Sequence, residues 1–129
     1  MEINPTEIFN FYNLKHETWN NLILIVRPKL LRKNYNGMTL WPFVVLKHHS
    51  LKEDAVFLNH EKIHLRQQAE LLIVFFYIWY VLEFLLRWLQ FGNRYKAYRN
   101  ISFEREAYYH ESEMDYLKKR NIYRFLKFM

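Results

Sequence analysis

Two kinds of apolar run alternate along the chain, and each predicts its own element. Residues 21–26 (NLILIV) are short, rich in β-branched side chains and closed by Arg27-Pro28, as a strand is. Residues 38–47 (MTLWPFVVLK) form a second such run behind the turn pair Asn36-Gly37. Pro42 inside that run cannot donate to a ladder, which assigns it to a sheet edge. Residues 1–20 scatter Ile8, Phe9, Phe11, Tyr12, Leu14 and Trp19 among polar residues in a loose helical pattern, with Asn4 or Thr6 as cap. From residue 52 to residue 91 there is neither Gly nor Pro, and helix is predicted throughout. A straight helix of about 40 residues would be about 60 Å long, against a radius of gyration of roughly 14 Å for a globule of this length. Either a break near residues 75–80 or a helix projecting from the globule is therefore expected. Gly92-Asn93 is a clear stop, and a further helix is predicted over residues 102–119, with Asn121 at its end.

Within the long helical stretch, residues 71–82 (LLIVFFYIWYVL) are uninterrupted apolar and aromatic. That is about 12 residues where a membrane span needs about 20, and Glu83 and Arg87 follow at i,i+4 spacing. The segment 71–89 is thus expected to pack mainly against protein rather than to cross a bilayer. Glu70 and Glu83 are expected to pair with Arg66 and Arg87.

Composition narrows the fold. A chain of 129 residues holds one domain, and 2 Gly with 3 Pro supply too few tight turns for a sandwich or barrel. The fold class is mainly α, an α+β domain with a small edge sheet. No Cys is present, so a transition-metal site must be built from His and carboxylates. Lys plus Arg number 19 against 13 acidic residues, a net charge of 19 − 13 = +6. Basic and aromatic residues interleave over 118–128, which suits an anionic membrane surface. No RNA-binding signature or helix-turn-helix spacing accompanies them, and nucleic acid is not an expected partner. Residues 1–7 lack the basic start and apolar run of a secretory leader, so a cytoplasmic site is the expectation, with association to a membrane surface left open.

One motif carries chemistry. His60-Glu61-Lys62-Ile63-His64 matches HExxH inside the helical stretch. At 100° per residue the two histidines stand about 40° apart, one turn along the same face, so both imidazoles reach one tetrahedral Zn²⁺. Glu61 falls beside them as general base and acid, the division of labour in zinc hydrolases, where the metal activates water and the carboxylate shuttles protons. With 6 His and 11 Glu in the chain, chance supplies on the order of 0.02 such matches.

A catalytic zinc needs a third protein ligand and an open fourth position. Residues 101–111 (ISFEREAYYHE) offer Glu104 and Glu106, which lie 200° apart on a helix and cannot both face the metal. Glu104 shares its face with Ala107, and a small residue there lets a facing helix come close. That packing argument favours Glu104, with Glu106 and then His110 as the alternatives.

In these residues the chain resembles the gluzincin metallopeptidases, in which HExxH is completed by a Glu on a later helix, often within E-x-x-A-D or E-x-x-A-N. Glu104-Arg105-Glu106-Ala107 follows that pattern as far as the Ala, and the resemblance makes Glu104 the ligand. Tyr108 stands where those families keep Asp or Asn, which puts the supporting hydrogen bond of that residue in question. In size the chain is similar to the minimal single-domain members. The resemblance implies a zincin-like domain over residues 1–129, with an edge strand at residues 38–47 that binds substrate backbone by strand addition.

The function expected is zinc-dependent hydrolysis of peptide bonds, with metal on His60, His64 and Glu104, Glu61 as base, and a peptide or protein as substrate. The alternative is a catalytically silent zinc-binding or membrane-surface interaction domain. Gln67 continues the histidine face and either bonds a ligand imidazole or makes a structural contact. Tyr98, Tyr108 and Tyr109 are candidate oxyanion donors, though each suits packing as well. The adjacent His48 and His49 are expected at the surface.

Overall fold

The computed structural model describes residues 23–33 and 35–129. The helix expected within residues 1–20 lies outside them. The fold is α+β and mostly helical, with a three-stranded mixed sheet. Strand β1 (Ile23–Val26) runs parallel to β3 (Phe43–Leu46), and β2 (Gly37–Leu40) pairs antiparallel with the other side of β3. The single edge strand expected over residues 38–47 is therefore a hairpin, folded at the cis Trp41-Pro42 bond. Pro42 sits in the turn and not on an edge, and the all-apolar FVVL run makes β3 the central strand. Val44 and Leu46 pack on Leu65 of helix α1 (Ala55–Glu70).

Helix α1 begins at Asp54, whose carboxylate accepts from the Phe57 N–H at 2.9 Å. The long helical stretch breaks at residues 71–73, earlier than the 75–80 expected. Leu72 and Ile73 have φ of 54° and 64°, and Val74 N–H donates back to Leu72 C=O at 2.7 Å, a γ-turn centred on Ile73. Two bulky residues in the left-handed region carry strain that no sequence signal announces.

After that turn, α2 (Val74–Phe91) leaves α1 and ends at Gly92, φ 64°. Asn93 caps the short α3 (Arg94–Arg99) through a 3.0 Å bond from Lys96 N–H. The helix expected over residues 102–119 is two pieces, α4 (Ser102–His110) and α5 (Tyr116–Lys119), parted by a turn. Helix α4 has no side-chain cap of its own. Glu83 of α2 supplies one, accepting from Ser102 N–H at 2.8 Å and Ser102 Oγ–H at 2.6 Å, a buried carboxylate at a helix N-terminus. Phe76, Ile101, Phe103 and Phe125 form the core between these helices.

The packing of α2 corrects the sequence reading. Only Phe76 and Glu83 of its residues are buried, while Leu86 is 66% and Leu89 85% exposed. By length and composition α2 is apolar enough to cross a membrane. The helix uses its polar and aromatic side against the protein and turns its aliphatic side out. The ion pairs Arg66–Glu70 and Arg87–Glu83 both form, each at 3.5 Å.

Candidate metal centre

Helices α1 and α4 meet where Ile63 packs against Ala107, both fully buried. That contact brings His60, His64 and Glu104 together from opposite sides. His60 Nε2 lies 3.1 Å from His64 Nε2 and 3.4 Å from Glu104 Oε2, and His64 Nε2 lies 3.1 Å from the same oxygen. All three side chains are buried. A tetrahedral ion with bonds of 2.0–2.1 Å holds its ligand atoms about 3.3–3.4 Å apart, so this donor set fits one zinc-sized ion. The three residues form the one His/carboxylate group among the described residues that is close enough to hold a metal.

Each donor is also held from behind. His60 Nδ1 meets Glu111 Oε2 at 2.9 Å, and His64 Nδ1 meets Gln67 Oε1 at 2.8 Å. With Nδ1–H donating in both, each Nε2 presents its lone pair inward. Tyr80 O–H donates to Glu104 Oε1 at 2.8 Å, leaving Oε2 to the site. Gln67 thus fills both roles open to it, bonding the imidazole through Oε1 and making structural contacts to Phe103 C=O and Glu106 through Nε2. The hydrogen bond to His60 comes from Glu111, three residues beyond Tyr108. Tyr108 meets the His60 ring edge-on with centroids 4.4 Å apart, and the Arg99 guanidinium lies 3.5 Å from the centre of the Tyr108 ring.

Glu61 stands apart from the triad, buried, with Oε2 accepting from Thr39 Oγ–H on β2. Gly37 is needed beside it. A Cβ there would sit 2.3 Å from Phe57 Cζ and 3.1 Å from Glu61 Oε1.

Without metal the three donors shift one another's pKa values. Burial pushes His60 down, but hydrogen bonds to Glu104 and Glu111 and the charges of Glu104 and Glu61 outweigh it and push its pKa up to about 10. His64 shifts up through Glu104 against its own burial. Glu104 is held well below the usual carboxylate range, its burial overcome by the two histidines. Tyr80 is pushed well above 10 by burial and by Glu104, so it stays a donor.

The remaining candidates lie elsewhere. Glu106 faces away from the triad, fully buried between Arg120, Tyr116 O–H at 2.7 Å and Gln67 Nε2 at 2.9 Å. His110 stacks on Tyr116 at 3.7 Å and bonds Glu113. Tyr109 is exposed and Tyr98 bonds Tyr108, while His48 and His49 are at the surface. Tyr80 and Glu111, which sequence reasoning missed, sit 24 residues before Glu104 and 51 after His60, separations that carry no local signal.

The triad opens into a cleft of about 480 Å³ between β2 and α2. Glu61 lines it, as do Met38, Leu40, Phe76, Tyr77 and Val81, so its walls are mainly apolar. On β2, Gly37 and Thr39 turn their backbone away from β3. Gln68 occupies part of that edge, donating to Thr39 C=O and accepting from Trp41 N–H, each at 2.8 Å. Comparison of the chain with family models, with curated proteins and with solved structures finds no match.

Proposed function

We propose that the protein is a zinc metallopeptidase of gluzincin type, holding Zn²⁺ on His60, His64 and Glu104 and hydrolysing peptide bonds with Glu61 as general base and acid. The observation that carries the reading is the convergence of His60 Nε2, His64 Nε2 and Glu104 Oε2 within 3.4 Å, beside the Thr39-bonded carboxylate of Glu61 in the same cleft. When bound, zinc supplies Lewis acidity that activates water and polarises a carbonyl.

The chain's own residues supply the rest. Thr39 aims the Glu61 carboxylate, which takes a proton from the attacking water and returns it to the leaving nitrogen. The outer edge of β2 at Gly37 offers backbone groups to an extended peptide, with side-chain room in the apolar cleft, while the Thr39 carbonyl is already held by Gln68 and by Tyr77 O–H at 3.3 Å. Gln68 fills the edge toward Trp41 and limits how far a strand can add on that side.

Glu61→Gln provides the test. Glu61 touches no triad member, so the variant should keep its metal and lose about 10²–10⁴-fold in turnover on any peptide the parent cleaves, with no rescue by added zinc. Full activity in Glu61→Gln would remove it as the base. A parent that binds zinc but cleaves nothing in a diverse peptide library would leave a silent zinc-binding domain.

A further inference from the structure

The outward side of α2 is built the wrong way round for water. Val74, Ile78, Val81, Leu82, Leu85 and Leu89 fall within a stripe about 100° wide, and every one is exposed. The charged members of the same helix, Glu83 and Arg87, point toward α4 and each other. A surface helix of a protein in water has the opposite arrangement.

The flanks of this face are basic. Residues 27–33 (RPKLLRK) carry Arg27, Lys29, Arg32 and Lys33 with no carboxylate, and residues 87–99 (RWLQFGNRYKAYR) carry Arg87, Arg94, Lys96 and Arg99 with none. All of these but Arg87 are exposed. The two basic segments and the apolar face meet at the cleft, where Leu30 and Arg32 stand on one bank and Val81 and Phe84 on the other. Trp88 and Tyr95, exposed at the end of α2 and in α3, have the amphipathic form that seats at a lipid headgroup layer.

We infer that α2 docks in the plane of an anionic lipid bilayer, its aliphatic stripe among the acyl chains and its basic flanks against the headgroups. Charge selects lipid over a second copy of the chain, because two such faces would bring two cationic rims together. The surrounding fold selects lying over spanning. At 18 residues α2 is about 27 Å long, close to the hydrocarbon thickness, but its inner side is tied to α4 at its middle through Glu83 and Ser102. A spanning α2 would carry the exposed Arg105 of α4 and Lys96 and Arg99 of α3 into hydrocarbon. Docking in plane keeps them in water or at the headgroups, and it places the mouth of the cleft at the lipid surface. The docking face stands on observations separate from the metal reading, so either fails without the other.

Flotation of the full-length chain with phosphatidylcholine vesicles, with and without phosphatidylglycerol, tests this. The parent should float with the anionic vesicles, less at high salt, and equally with or without zinc. The double variant Leu82→Asp/Leu86→Asp replaces two exposed side chains, so it should keep the parent's circular dichroism and melting while its bound fraction falls about tenfold or more. Arg94→Glu/Lys96→Glu should weaken binding to anionic vesicles alone. Three results would overturn the inference: no flotation with any vesicle; flotation unchanged in the aspartate variant; or a lipid-free dimer that those aspartates dissociate, which would give the face to a second copy.

Discussion

Replacing Glu106 with alanine should cost the protein much of its stability without touching the metal donors. Glu106 is fully buried, and its two oxygens accept from Arg120, Tyr116 and Gln67, while Arg120 also pairs with Glu70. The Arg120 side chain is 1% exposed. Removing Glu106 leaves that guanidinium short of a partner where water cannot replace it, a loss of about 3–5 kcal/mol. A chain of 129 residues has a total stability of about 6–19 kcal/mol and an unfolding entropy near 0.27 kcal/mol/K, so the melting temperature should fall by about 11–18 °C. The measurement is calorimetry or circular dichroism in chelator, so that metal linkage does not enter. A metal-free Glu106→Ala protein melting within about 3 °C of the parent would refute the reasoning, because no structural ion pair would then have been broken.

Glu104→Ala should release zinc to a mild chelator far faster than Glu106→Ala measured below its melting point; equal retention would dismiss Glu104 as ligand, and the reverse order would pass the role to Glu106. Zinc uptake should release about one to two protons per ion in weak buffer, because His60 is held at about 10 in the metal-free site and must be neutral to ligate; uptake without proton release would contradict that. The same shift sets a stability window. A folded pKa raised from 6.5 to about 10 contributes fully below about pH 6.5 and is lost as pH rises toward 10, so metal-free protein should be easier to unfold by urea at pH 10 than at pH 7. Gly37→Ala should cost about 1–3 kcal/mol through the Phe57 ring and disturb Glu61 as well, seen as lower stability together with lower turnover; unchanged values of both would show that the close approach is unimportant.

The shared placement of His60 and His64 was legible in five consecutive letters, because a helix converts i,i+4 spacing into a shared face without help from the rest of the fold. The preference for Glu104 over Glu106 was legible for the same reason, as 200° of separation forces a choice and Ala107 marks the close side. What holds the donors was not. Glu111 and Tyr80 reach the triad only because α1, α2 and α4 converge, and long-range convergence leaves no period in the sequence. The break at residues 71–73 was misplaced because it uses Leu72 and Ile73 at positive φ, where glycine would ordinarily announce a turn. Pro42 was placed on a strand edge, but it turns a hairpin instead, since a proline punctuates a chain in more than one way. The outward aliphatic stripe of α2 is not legible as an exposed face, because apolar residues alone do not say which apolar phase they meet.

The central claim is that one metal ion sits on His60, His64 and Glu104. Its most direct test is elemental analysis of the full-length protein, loaded with zinc and passed through a desalting column, alongside His60→Ala. The account predicts about one zinc per chain in the parent and less than about a tenth of that in the variant, because two remaining donors cannot hold a closed three-ligand site. No zinc in the folded parent, or the same zinc in both proteins, would contradict it.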